Sequence, residues 1–199
     1  MAPKLILASQ SPRRLDLLAQ IGIVPDEVIP AHIDERRQKS EPLLAFVDRL
    51  AREKAEFVAQ SHANAVILGA DTIVHTKAHH FDKANTRAEA AAHLHALSGR
   101  RHRVTTSVCL LVPVTEEPRA RLSRRVTSIV KLKRLSDAEI EGYLTTREWE
   151  GKAGGYAIQG CAARFVANLS GSYSAVVGLP LYETSNLLQS ANILPPAGP

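Results

Sequence analysis

The 199-residue chain is poor in the residues that mark several protein classes: two cysteines, one methionine, one tryptophan and 5% aromatics. Cys109 and Cys161, both among apolar neighbours, cannot build a disulfide framework and read as buried thiols of a reducing compartment. No apolar run approaches the roughly 20 residues of a membrane-spanning helix. Met1 to Leu7 leads straight into a strand-like run and lacks the layout of a signal peptide, so the expected compartment is the cytoplasm. So few aromatics offer no stacking platform of the kind RNA-binding modules use. Glycine and proline, 11 of each, are too few and too aperiodic for a collagen-like or low-complexity chain.

What remains is ordinary for a folded domain, 45% hydrophobic against 23% charged. The length suits one domain over residues 1–199, undivided or split into two lobes. A chain of this size buries roughly 70% of its unfolded surface and needs no disulfide or structural metal. The net charge of +5 has its surplus in one ribbon, Arg119, Arg121, Arg124, Arg125, Lys131, Lys133 and Arg134. Such a run is first a solvated face, with contact to nucleic acid or another polyanion as the alternative.

Leu5–Ala8 reads as a buried strand. Ser11 as N-cap, Pro12 at the first helical position and Gly22 past the end then bound a helix with apolar Leu15, Leu18, Ala19 and Ile21. Val28–His32 reads as a second short strand. A long helix is predicted from Pro42 to Gln60, with a stripe of Leu43, Phe46, Val47, Leu50, Phe57 and Val58. Lys54 falls inside that stripe, which is costly unless its ammonium meets an anion. Ala65–Ala70 has the continuous apolar character of a strand buried on both faces, stopping at Asp71-Thr72 and resuming at Ile73-Val74. Asn85 or Thr86 opens a helix ending at Ser98-Gly99. Val104–Val112 and Arg125–Leu132 read as strands joined by a proline-containing turn, with Val126, Ser128, Val130 and Leu132 on one face. The capping box Ser136–Glu139 starts a helix through Leu144. A strand over Phe165–Ala167 and a helix over Leu181–Leu188 follow. Strands alternating with helices, then pairing as a hairpin, predict an α/β fold with a mixed sheet.

Four places can carry chemistry. Ser9-Gln10-Ser11-Pro12-Arg13-Arg14 joins a strand end to a helix start, where free N–H groups and two guanidinium forks suit a phosphate. The same residues also fit a capped helix with surface arginines. Asp71 closes an apolar strand, either as a turn former or as an acid at a strand end where α/β sheets bind ligands. Asp34-Glu35 can be a solvated pair, but Glu35 and Asp71 together can hold Mg²⁺, which takes few carboxylates plus substrate phosphates. Lys54, Lys83 and Lys152 add point charges for a polyphosphate. In Gly151–Gly160 four glycines permit close approach of backbone to a ligand, and Tyr156 offers a ring to pack on a planar group. The Gln159 amide can accept from N3–H and donate to a carbonyl of uracil or thymine, a pattern cytosine cannot satisfy. His79-His80 and His93/His95 lack metal spacing and read as surface residues, and Ser172-Tyr173-Ser174 reads as a turn.

Leu7-Ala8-Ser9-Gln10-Ser11-Pro12-Arg13-Arg14 resembles the opening motif of the Maf family of nucleoside triphosphate pyrophosphatases. Arg49–Ala55, Gly69–Val74, Leu97–Arg100 and Gly171–Leu181 resemble its later motifs in the same order, from about Lys4 to Leu188. The resemblance implies a Maf/Ham1-like fold: a mixed, elongated sheet flanked by helices, in two lobes with a central cleft. It further implies a cytoplasmic homodimer and hydrolysis of a nucleoside triphosphate to monophosphate and pyrophosphate with Mg²⁺ or Mn²⁺, a house-cleaning activity. Lys152–Gly160 is similar to the branch acting on dTTP and UTP. By that carry-over Asp71 is the proton acceptor. Arg13, Thr72 and Gln159 set specificity, and Ser9, Arg14, Glu35, Lys54 and Lys83 line the triphosphate and metal site. The chain departs from the family pattern at Asp82-Lys83-Ala84, Gly151, Ala157 and from Cys161 onward, and matches weakly from Pro113 to Arg124. Alternatives are a pyrophosphatase for 7-methyl-GTP or another modified nucleotide, and a nucleic-acid-binding regulator using the basic ribbon.

Overall fold

Four successive buried residues make β1 (Leu5–Ala8) a strand covered on both faces. The computed structural model describes residues 3–113 and 119–194. Helix α1 (Pro12–Gln20) follows, then β2 (Glu27–Val28), α2 (Leu43–Ala59), β3 (Val66–His75) and β4 (His80–Phe81). Next come α3 (Arg87–Leu97), β5 (Arg101–Val112), β6 (Ala120–Leu132), α4 (Asp137–Leu144), a 3₁₀ helix (Cys161–Phe165), β7 (Val166–Ser170), α5 (Tyr173–Val177) and α6 (Leu181–Ser190). The seven strands form one mixed sheet in the order β2-β1-β3-β5-β6-β7, with β4 on β3. Strand β1 runs parallel to β2 and β3, whereas β4 and β7 pair antiparallel with their neighbours.

The chain divides into two units, Met1–Asp71 with Thr106–Val126 and Gly178–Pro199, and Thr72–Thr105 with Thr127–Val177. In the first, α2 lays Ala51, Ala55 and Val58 on Ile6, Ala8, Ile67, Cys109 and Leu111. Each large aliphatic side chain buried this way contributes about 1.5–3 kcal/mol. The small residues on α2 have a partner in Gly69. A Cβ there would stand 2.9 Å from the Ala55 nitrogen and closer still to the Ala51 oxygen. Glycine thus lets the helix backbone lie directly on β3. In the second unit Ala90, Leu94 and Leu97 of α3 and Ile140, Tyr143 and Leu144 of α4 are buried. Both helices start with full capping boxes, Thr86–Glu89 and Ser136–Glu139.

Several expectations need correction. Strand β3 does not stop at Asp71 but runs on to His75; what stops is its neighbour β1, whose last pair is Ala8 with Gly69. The strand expected over Val28–His32 shrinks to Glu27–Val28. Helix α1 turns Arg14, Leu17 and Leu18 inward and leaves Leu15 and Ala19 exposed, and Ser11 makes no side-chain cap. Phe57 is 37% exposed, because the stripe on α2 follows Lys54 and Val58 instead. Cys161 is exposed, Phe165 ends a 3₁₀ helix, and Ser172 caps α5, its Oγ accepting from the Ala175 nitrogen at 3.1 Å. The expected turn between β5 and β6 lies mostly outside the described residues.

Candidate functional site

In the first unit, Lys54 is buried on α2 and its Nζ donates to Asp71 Oδ1 at 2.6 Å and pairs with Glu35 Oε1 at 2.7 Å. The anion that an inward lysine requires is therefore there twice over. The loop bearing Glu35 is tied to the same helix through Arg49. That guanidinium donates from Nε to Glu41 Oε1 at 2.7 Å, from Nη1 to Glu53 Oε2 at 2.9 Å and from Nη2 to the Arg36 oxygen at 3.0 Å. Arg49 was visible only as part of a motif; the eight-residue separation from Glu41 crosses a loop and carries no helical spacing.

The β1–α1 loop is built around Ser9, which is 3% exposed. Its Oγ accepts from the Ser11 nitrogen at 3.1 Å and from Arg14 Nη1 at 3.0 Å, while Arg14 Nε donates to the Gly178 oxygen at 2.9 Å. Arg14 is thus buried and oriented, not a surface arginine. Burial lowers its pKa, and the opposing pull comes from Asp71 and Glu35, so all three charges share one electrostatic neighbourhood. Arg13, half-buried, is brought to about 10, mainly by burial and then by Arg14. Both remain protonated at neutral pH.

The second unit holds the other four. Thr72 is half-buried on β3. Lys83 and Ala153 form a short antiparallel bridge, extended by the Ala84 nitrogen donating to the Lys152 oxygen at 3.1 Å, so the two lysines stand on adjacent backbone. Gly154 and Gly155 adopt positive φ and fold the loop against Val74, Ala90 and His93. Every residue from Gly154 to Ile158 is buried and Gln159 is exposed. Tyr156 is no platform for a ligand ring: it is 6% exposed and bonded to His102. Two histidines that sequence reasoning passed over, His75 and His102, are buried in this unit, whereas the singled-out His79 and His95 are exposed and His80 and His93 half-buried. A lone histidine in a strand buried nearly throughout gives no spacing by which to find it.

Among the described residues no group of three or more His, Cys, Asp or Glu side chains is placed to hold a metal. Glu35 and Asp71 nevertheless direct oxygens onto one cation, the Lys54 ammonium, and two carboxylates completed by phosphate oxygens suit Mg²⁺ or Mn²⁺. The basic ribbon is partly spoken for within the first unit: Arg119 donates to the His62 and Ala65 oxygens, Arg125 to Asp48, and Arg121 approaches Glu56 at 4.0 Å. No described helix is long and apolar enough to cross a membrane.

The family model described as Maf-like protein matches residues 4–191. The chain is 52% identical over 192 residues to a dTTP/UTP pyrophosphatase of Zymomonas mobilis subsp. mobilis, covering 96% of this chain and 93% of that protein. It is 51% identical over 185 residues to a dTTP/UTP pyrophosphatase of Hyphomonas neptunium, covering 93% and 94%. A remoter likeness, 16% identical with a TM-score of 0.41, is to the structure of a HAM1 protein from Coxiella burnetii, over 67% of this chain and 74% of that one.

Proposed function

The chain belongs to the Maf-like protein family, and from that premise we propose that it hydrolyses dTTP and UTP to the monophosphate and pyrophosphate. Relatives bearing that activity in their names are about half identical to it over nearly its whole length. The observation that carries the reading is the buried Lys54 ammonium held by Asp71 and Glu35 beside the buried Arg14. Two unlike charges are kept dry there at a cost in desolvation, which a fold does not need for stability.

The residues act as follows in this reading. The Ser9–Arg14 loop and Lys54 hold phosphate oxygens, with Lys83 and Lys152 as further point charges. Asp71 has Oδ1 on the ammonium and Oδ2 to receive a proton. Water attacks the α-phosphorus, its proton passes to Asp71, and the α–β bridging bond breaks with its electron pair leaving on pyrophosphate. Glu35 and Asp71 would hold a divalent ion, which when bound offsets the phosphate charge. Gln159 accepts from N3–H of uracil or thymine, while Arg13 and Thr72 assist selection. A cytoplasmic location and a homodimer belong to the same reading.

The test is pyrophosphate release from a panel of nucleoside triphosphates with Mg²⁺ or Mn²⁺. Release from dTTP and UTP far above CTP and the purines is expected. Equal turnover of all of them, or none, overturns the reading.

A further inference from the structure

Around Gln159 the loop is fastened at three points in the second unit. Tyr156 sends its hydroxyl to His102 Nε2 at 2.7 Å, its ring meeting the imidazole edge-on at 5.6 Å. The Ala157 nitrogen donates to the Tyr143 hydroxyl at 3.0 Å, and Tyr143 is wholly buried on α4 against Phe165. Beyond Gln159, the Cys161 nitrogen donates to Glu148 Oε2 at 2.8 Å. Gly160 leaves room for that carboxylate, which a Cβ would meet 2.6 Å from its carbon. Residues on both sides of Gln159 are thus held, while its own amide reaches solvent.

The His102–Tyr156 bond stands out within this arrangement. His102 is 2% exposed, and its Nδ1 is buried without a hydrogen-bond partner among the described residues. An apolar pair of the same shape would pack equally well and leave no orphaned nitrogen. The bond through Nε2 is the side-chain hydrogen bond that fixes where the Tyr156 ring sits, beside the backbone bonds that hold the start of the Gln159 turn. We infer that His102 and Tyr156 are positioning residues for base selection, holding the Gln159 amide at the height and angle at which it discriminates N3–H from a bare nitrogen. The inference rests on the substrate reading proposed above. It adds a pair that touches no substrate and acts only through the backbone of residues 156–159.

Tyr156→Phe removes the hydroxyl and keeps the ring, and His102→Gln retains a donor and acceptor in a different shape. Two readouts are needed. Amide exchange at residues 157–161 reports the anchor, with β5 amides as the control for general loosening. The kcat/KM ratio for UTP over CTP reports selection. In Tyr156→Phe, loop exchange is expected to rise about tenfold with β5 unchanged, the worth of one buried hydrogen bond. The UTP:CTP ratio is expected to fall by a similar factor, with KM for UTP rising more than kcat falls. His102→Gln, which can still bond the Tyr156 hydroxyl, is expected to change both in the same direction but by less than Tyr156→Phe. Unchanged loop exchange overturns the anchor, whatever the chain hydrolyses. Raised exchange with an unchanged UTP:CTP ratio overturns its role in selection. No turnover by the unsubstituted protein overturns the substrate reading instead, and the exchange measurement still decides the anchor.

Discussion

The two units differ in the polar groups they bury. In Met1–Asp71 and its partner segments charges are buried against charges, Lys54 with Asp71 and Glu35 and Arg14 within their field, alongside neutral Ser9, Thr106, Ser107 and Thr184. In Thr72–Thr105 with Thr127–Val177 the buried polar groups are neutral and linked by hydrogen bonds. His102 meets Tyr156, His75 Nε2 meets Thr105 Oγ1 at 3.0 Å, Thr105 meets Thr127, and Ser128 meets Ser172. Dry charge is stable only beside its opposite and then acts strongly on a polyanion. Neutral donors and acceptors exert little pull at a distance but discriminate by pattern. In the proposed reading most of the phosphate-binding residues belong to the charged unit, with Lys83 and Lys152 the exceptions, while Gln159 and Thr72 of the neutral unit select the base together with Arg13 of the charged one.

The difference can be broken most forcefully at Asp71. Asp71→Asn keeps the shape and a hydrogen bond to Lys54 but removes the proposed proton acceptor, so pyrophosphate release should fall by about 10²–10⁴-fold with the circular-dichroism spectrum of the folded chain unchanged. Near-normal release would remove Asp71 from the chemistry. Lys54→Met addresses stability instead. It leaves Glu35 and Asp71 facing each other with no cation between them, and should cost about 3–5 kcal/mol in urea unfolding. A loss under about 1 kcal/mol would mean that the pair is solvated and the contrast between units is false.

The neutral unit is open to acid. Burial, and secondarily His75, lowers His102 to about 4, and burial likewise lowers His75 and His93. An unfolded chain takes up these protons near pH 6.5, before the folded one does, so stability is full above about pH 6.5 and lost from there toward pH 4. His102 alone accounts for about 3 kcal/mol of that loss. Urea midpoints between pH 7 and 4 should fall accordingly, and less steeply in His102→Leu; an identical slope in that variant would assign the acid sensitivity elsewhere. The mildest test is Ser128→Ala. Ser128 Oγ accepts from the Ser172 nitrogen at 2.9 Å and donates to the Ser172 oxygen at 3.1 Å. Its loss should cost about 1–2 kcal/mol in a urea titration while pyrophosphate release is retained.

How far the sequence foretold this depends on whether a feature is local. Helix α2 was readable to within one residue at each end, and a lysine inside its apolar stripe already required an anion. The opening Ser11-Pro12 and the Ser136 box placed their helix starts correctly. What escaped depended on partners distant in the chain. Asp71 looked like the end of a strand because the turn-forming pair Asp71-Thr72 interrupts an apolar run, yet pairing with β4 and β5 carries β3 through it. Arg14 looked exposed because its acceptor, the Gly178 oxygen, is 164 residues away. Tyr156 looked available because nothing in a glycine-rich run announces His102.

Gly69 gives the charged unit a mechanical property. The helix backbone rests on the strand with no side chain as a cushion at that point. Breathing of the sheet that lifts β3 must therefore lift α2 as well, and the acid on one travels with the ammonium on the other. The alignment of the Asp71 carboxylate and the Lys54 ammonium is set by two backbones in direct touch rather than by the flexible tether of a lysine.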